Sequence, residues 1–218
     1  MKTKKFLFYL LAVLLGSCIP VKSIQPLYTK ENVVFEKKLV GTWVDDPNSP
    51  NTTWEFKRVV VDSNNESQLE LFGEPEKAYE LIFSDNEGKK GSFFAHLVKL
   101  ENRLFLDVYP SQWPHMPQDP NKVEWLYNYF FFMPVHTFIK VDSIKPQLKM
   151  RLTNENEMKK LFEEDPNALK HTLVEESLIL TASTKELQAF VLKYANDSRV
   201  FTDEIILSRK KNQRPQRP

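Results

Sequence analysis

The stretch Leu39-Val40-Gly41-Thr42-Trp43 opens a series of short extended segments, and its reading decides the fold. It lies in a candidate strand over 38–45. Further candidates follow at 52–61, 78–84, 91–100, 103–109, 135–142, 147–152 and 203–209, with a shorter apolar run at 177–181. Alternation supports them. In the second, Trp54 and Phe56 point one way while Glu55 and Lys57 point the other. Tyr79, Leu81 and Phe83 share a face, as do Leu104, Leu106 and Val108, and again Val135, Thr137, Ile139 and Val141. Half-polar strands of this kind belong to antiparallel sheets with one wet face.

Reversal chemistry sits between the strands, at Asn64-Asn65, Asp85-Asn86-Glu87-Gly88 and Glu101-Asn102. Short connections favour hairpins. About eight strands in meander order predict a mainly β fold, a closed antiparallel up-and-down barrel, because closure removes exposed edges. Two helices join it. Ser183 and Glu186 have capping-box spacing, and Leu187, Phe190, Val191 and Tyr194 then recur at helical intervals, which predicts a helix over 184–196. A second, over 154–164, places Met158, Leu161 and Phe162 on one side, with Pro166 just beyond its end.

The Gly41-Thr42-Trp43 triplet resembles the glycine-x-tryptophan signature that opens the lipocalin barrel. The meander followed by a helix and a terminal strand is similar to that family's order. The resemblance implies that Trp43 plugs the barrel base, that Gly41 permits close approach, and that a late basic residue, Arg209, packs on the Trp. It also implies an apolar ligand, for which Trp54, Phe56, Tyr79, Phe83, Trp125, Tyr129, Phe131 and His115 are the pocket candidates. The chain departs from the family in lacking its middle motif, in carrying the extra helix over 154–164, and in placing Arg209 after the final helix.

Upstream of the barrel, Lys2, Lys4 and Lys5 precede a wholly apolar run from Phe6 to Leu15. Ten apolar residues suit a signal-peptide core, whereas a bilayer-spanning helix needs about 20. Leu15-Gly16-Ser17-Cys18 resembles the lipobox of bacterial lipoprotein precursors. The resemblance implies acylation of Cys18 and cleavage before it. Ile19 in place of Asp is similar to the Gram-negative signal for the outer membrane, on its periplasmic face. Cys18 is the single cysteine of the chain, so no intrachain disulfide can form. The expected organisation is a signal peptide over 1–17, a lipidated N-terminus and linker over 18–36, a barrel domain over 37–209 and a basic flexible tail over 210–218.

The 30 basic and 29 acidic residues lose three lysines with the leader, which leaves the mature chain slightly negative. That balance gives no electrostatic case for nucleic-acid binding. Sixteen Phe, seven Tyr and four Trp against five Gly suggest an aromatic-rich interior. The proline-rich 110–120 cannot be a central strand, and Trp125 to Met133 reads as either core wall or ligand lid. No Gly-rich phosphate loop, nucleophile elbow or H-E-x-x-H motif is present. His96, His115, His136 and His171 are not paired at metal-ligand spacing. The expectation is therefore a non-catalytic protein without metal or cofactor. It is anchored to a membrane through Cys18 and carries an apolar small molecule or lipid. The alternative is a filled-barrel scaffold for another envelope protein, and an envelope enzyme ranks last.

Overall fold

The computed structural model describes residues 20–59, 75–111 and 133–210. Eight strands close into an antiparallel barrel: β3 (Gly41–Val44), β4 (Thr53–Arg58), β5 (Ala78–Ser84), β6 (Lys90–Leu100), β7 (Arg103–Pro110), β8 (Thr137–Ser143), β9 (Leu148–Thr153) and β12 (Phe201–Arg209). Each pairs with the next in that order, and β12 returns to β3 through Ser208↔Val44 and Arg209↔Trp43. The period-2 pattern sends one face of every strand inward. Phe56, Leu81, Leu97, Leu106, Leu148, Met150 and Leu207 are buried together in the interior.

The barrel has two unlike ends. The β6–β7 and β8–β9 hairpins close one end, beside the start of β3 and the end of β12. The β3–β4 and β5–β6 hairpins, the end of β7 and the start of β8 lie at the other, the mouth.

Residues 20–36 are part of the folded body, which corrects the linker expected over 18–36 and the domain start near Lys37. β1 (Lys22–Ser23) runs parallel to β11 (Ser177–Leu180), which pairs with β10 (His171–Val174) in a small second sheet. The chain then descends the outer wall of the barrel. The Leu27 amide donates to Asp107, and β2 (Val33–Val34) pairs with the half of β6 that extends beyond β5. Val21, Leu27 and Val33 are each at most 3% exposed. Burying such side chains stabilises the folded chain by roughly 1.5–3 kcal/mol each. They recur every six residues, so neither a strand nor a helix period reveals them.

Helix α1 (Glu155–Glu164) starts at Asn154, whose side chain accepts from the Asn156 and Glu157 amides. Helix α2 (Thr184–Lys193) has the complete Ser183/Glu186 capping box and stops three residues short of the expected end, with Tyr194 as its cap. The apolar stripes of both helices, the small sheet and the strap over 20–36 form a second core on the outer wall around Val98, Phe105 and Phe138. Thr184 Oγ1 and Gln188 Nε2 donate to the Pro26 and Leu27 carbonyls, fastening α2 to the strap. Lys210 still donates its amide to the Thr42 carbonyl; the rest of the basic tail, like the signal segment and Cys18, lies outside the described residues.

Candidate functional site

Gly41, Trp43 and Arg209 meet at the closed end. Trp43 is fully buried, and its Nε1 donates to the Leu39 carbonyl at 2.8 Å. The Arg209 guanidinium carbon lies 4.6 Å above the Trp43 ring, and the same group donates to the Lys38 carbonyl. Gly41 has φ +131°, and a Cβ there would stand 2.4 Å from Arg209 Nη1. The glycine thus supplies both the backbone conformation and the space that the cation occupies.

Above this plug the named aromatics divide by height. Phe56 and Tyr79, fully buried, fill the lower barrel edge-to-face at 6.2 Å. Phe35 stacks on Tyr79 at 5.0 Å, and the Tyr79 hydroxyl lies 2.6 Å from the Glu36 amide. Burial pushes that phenol up to about 12, so it stays protonated. These two residues are core rather than pocket lining. Nearer the mouth, Trp54 packs edge-to-face on Phe83 at 5.3 Å. Phe83 and Phe93 are only half-buried. A Cβ on Gly91 would stand 2.7 Å from the Phe93 ring, so the glycine lets that ring lean along the strand toward the mouth.

Thr137, the first residue of β8, shares the inward parity of Ile139 and Val141. Its Oγ1 is buried without a hydrogen-bond partner among the described residues. A buried hydroxyl left unpaired costs about 1–3 kcal/mol. The sequence reading did not single out Phe93 or Thr137. Their signal was parity alone, which marks a residue as inward without saying at what height. His115, Trp125, Tyr129 and Phe131 lie outside the described residues.

A polar cluster that the sequence reading missed sits on the outer wall beneath the strap. Asp107, fully buried, lies 2.5 Å from the Leu27 amide and 2.6 Å from His136 Nδ1. Tyr28 stacks on His96 at 4.1 Å and hydrogen-bonds Tyr109. Burial, reinforced by the Asp107 charge, raises Tyr28 to about 12; burial also raises Tyr109 strongly. Both phenols stay protonated at neutral pH, so they serve as hydrogen-bonding groups and not as nucleophiles. The cluster fastens the strap. Asp107 is 80 residues from Leu27 and 29 from His136, beyond the reach of any local pattern.

Two clefts lie outside the barrel. One, of about 440 Å³, runs between residues 166–170 and α2; the other, of about 520 Å³, lies beside the Lys140–Asp142–Arg151–Glu204 ion network. Among the described residues no group of His, Cys, Asp and Glu could hold a metal ion. Comparison with protein-family models, with curated proteins and with solved structures found no match for this chain.

Proposed function

We propose that this chain is a cell-envelope lipoprotein whose lipocalin-like barrel binds a small apolar ligand at its mouth. The observation that carries the reading is the asymmetry of the barrel. Trp43 and Arg209 plug one end, while half-buried Phe83 and Phe93, with Trp54, stand toward the other, and at the start of β8 the Thr137 hydroxyl is buried without a partner among the described residues. Aromatic walls with one or two polar groups are what an apolar ligand needs. An apolar molecule carrying one hydrogen-bonding group would satisfy Thr137 Oγ1 and cover the exposed parts of the rings.

The role is binding and not catalysis. The Asp107–His136 pair is covered by Leu27, and the neighbouring tyrosines remain protonated. Attachment to the membrane, on the periplasmic side of an outer membrane, would come from acyl chains on Cys18, supported by Leu15-Gly16-Ser17-Cys18 behind its apolar run. Two or more acyl chains hold a protein stably on a bilayer, whereas one does so only marginally. The filled lower barrel, with Phe56, Tyr79, Leu148 and Met150 fully buried, favours the scaffold as the second reading.

Native mass spectrometry of residues 19–218, purified without denaturation and compared with a refolded sample, tests the ligand. A lipid-sized adduct that vanishes on refolding is expected; a bare mass in both samples favours the scaffold. In the full chain Cys18→Ala should abolish acylation and leave an uncleaved precursor, and normal processing of that variant would refute the anchor.

A further inference from the structure

Pro20 is the first described residue, two positions after Cys18, and the chain is fixed almost at once. The Val21 amide donates to Thr153 Oγ1 at 3.2 Å, and Val21 is 1% exposed. Ser23 exchanges both backbone hydrogen bonds with His136, at 2.8 and 2.9 Å. Thr153 ends β9 and His136 immediately precedes β8, so both stand on the mouth rim. Three residues of fully extended chain span about 11 Å at most. An anchor at Cys18 is therefore held beside the mouth, on the β8–β9 side, and cannot swing to the closed end.

The rim around this point exposes apolar side chains beside Lys22, whose ammonium is drawn onto Glu155. Ile24 is 37% and Met133 58% exposed, and Pro20 and Pro134 are exposed beside them. The opposite rim is charged, with Asp45 and Asp46 on the β3–β4 hairpin and Asp85, Glu87, Lys89 and Lys90 on the β5–β6 hairpin, where Lys89 pairs with Glu87. Apolar side chains beside an acyl anchor gain by entering the headgroup region, whereas carboxylates there lose hydration.

We propose that the barrel docks mouth-first on the bilayer, with the Pro20, Ile24, Met133 and Pro134 rim in the headgroup layer and the charged rim tilted away. This rests on the reading of Cys18 as acylated. In this orientation a ligand passes between bilayer and barrel without crossing water, which makes a membrane lipid the ligand class.

The test uses the full-length protein, matured and acylated in bacteria, with single cysteines introduced as Ile24→Cys, Met133→Cys, Asp46→Cys and Asn102→Cys. All four positions are exposed, so the fold is not at stake. Acylation would consume the Cys18 thiol, which leaves the introduced cysteine to take a polarity-sensitive fluorophore. Each protein is reconstituted in phosphatidylcholine vesicles carrying a nitroxide-labelled lipid, and its mass reports acylation independently. Quenching several-fold greater at 24 and 133 than at 46 and at 102, on the closed end, is expected. Equal quenching at all positions, or the greatest at 102, in a protein of acylated mass would overturn the orientation and leave the anchor standing. An unacylated mass would overturn both.

Discussion

Replacing Gly41 by Ala tests the reading of the barrel base at its tightest point. The backbone there has φ +131°, a region that side-chain-bearing residues avoid, and holding Ala in it costs about 1–3 kcal/mol. The added Cβ would also stand 2.4 Å from Arg209 Nη1. Arg209 is exposed, so its long side chain has room to move away, at the loss of a cation–π contact of about 0.5–1 kcal/mol. Together these predict a loss of about 1.5–4 kcal/mol and, at 2–4 °C per kcal/mol, a melting temperature lower by about 3–16 °C. The two parts separate in a double-mutant cycle with Arg209→Ala, measured by urea unfolding followed through tryptophan fluorescence. In the Arg209→Ala background the backbone cost remains and the cation–π part disappears, so Gly41→Ala should cost about 0.5–1 kcal/mol less there. An identical cost in both backgrounds would refute the claim that the glycine makes room for the arginine. A Gly41→Ala variant as stable as the parent would refute the backbone argument as well.

Thr137→Val removes a buried hydroxyl that lacks a partner among the described residues, so the ligand-free protein should be unchanged or more stable by up to about 1 kcal/mol in urea unfolding, while affinity for a hydrogen-bonding ligand falls about tenfold in a titration with the identified adduct. Asp107→Asn presents an amide where the Leu27 amide and His136 Nδ1 converge, and should cost about 1–3 kcal/mol, with hydrogen exchange at Leu27 accelerating before that of the barrel core; uniform acceleration would argue against a strap fastened at this point. Glu155 is 3% exposed; burial alone would raise its carboxyl, but hydrogen bonds from Lys159, the Leu178 amide and Lys22 outweigh it and hold the group below its ordinary 4.5. A depressed carboxyl contributes stability above its unfolded value and loses it as pH falls through the folded one. Glu155→Gln should therefore cost about 1–3 kcal/mol at pH 7, with the difference from the parent shrinking below pH 4.5; a gap that widened in acid would contradict the assignment.

The barrel was legible in the sequence because a half-wet antiparallel strand writes its own face. Trp54 and Phe56 alternate with Glu55 and Lys57, Tyr79/Leu81/Phe83 and Leu104/Leu106/Val108 each keep to one face, and the strands they announce are the strands found. Both helices announced themselves by caps and stripes, the Ser183/Glu186 pair above all. These are local signals, set by a period of two or of 3.6 residues and by the backbone needs of a chain end. The triplet Gly41-Thr42-Trp43 and the late Arg209 could be named in advance, but their meeting depends on the β12–β3 register, which joins residues 166 positions apart.

Tertiary structure alone decided the rest. Residues 20–36 read as a spacer because Val21, Leu27 and Val33 gain nothing from one another; Val21 and Leu27 gain from a surface built by α1, α2 and the outer wall of β6–β8, and Val33 from its pairing with Val98 of β6. Asp107, His136 and Tyr28 carry no shared local pattern, and only the folded chain brings the carboxylate to the Leu27 amide. Parity could mark Phe56 and Phe83 as equally inward, but height along the barrel, set by the stagger of its strands, made Phe56 a fully buried core residue and left Phe83 half-buried toward the mouth. Strand faces follow from the order of neighbouring residues. Depth in a barrel follows from pairings between strands distant in sequence, which no local pattern records.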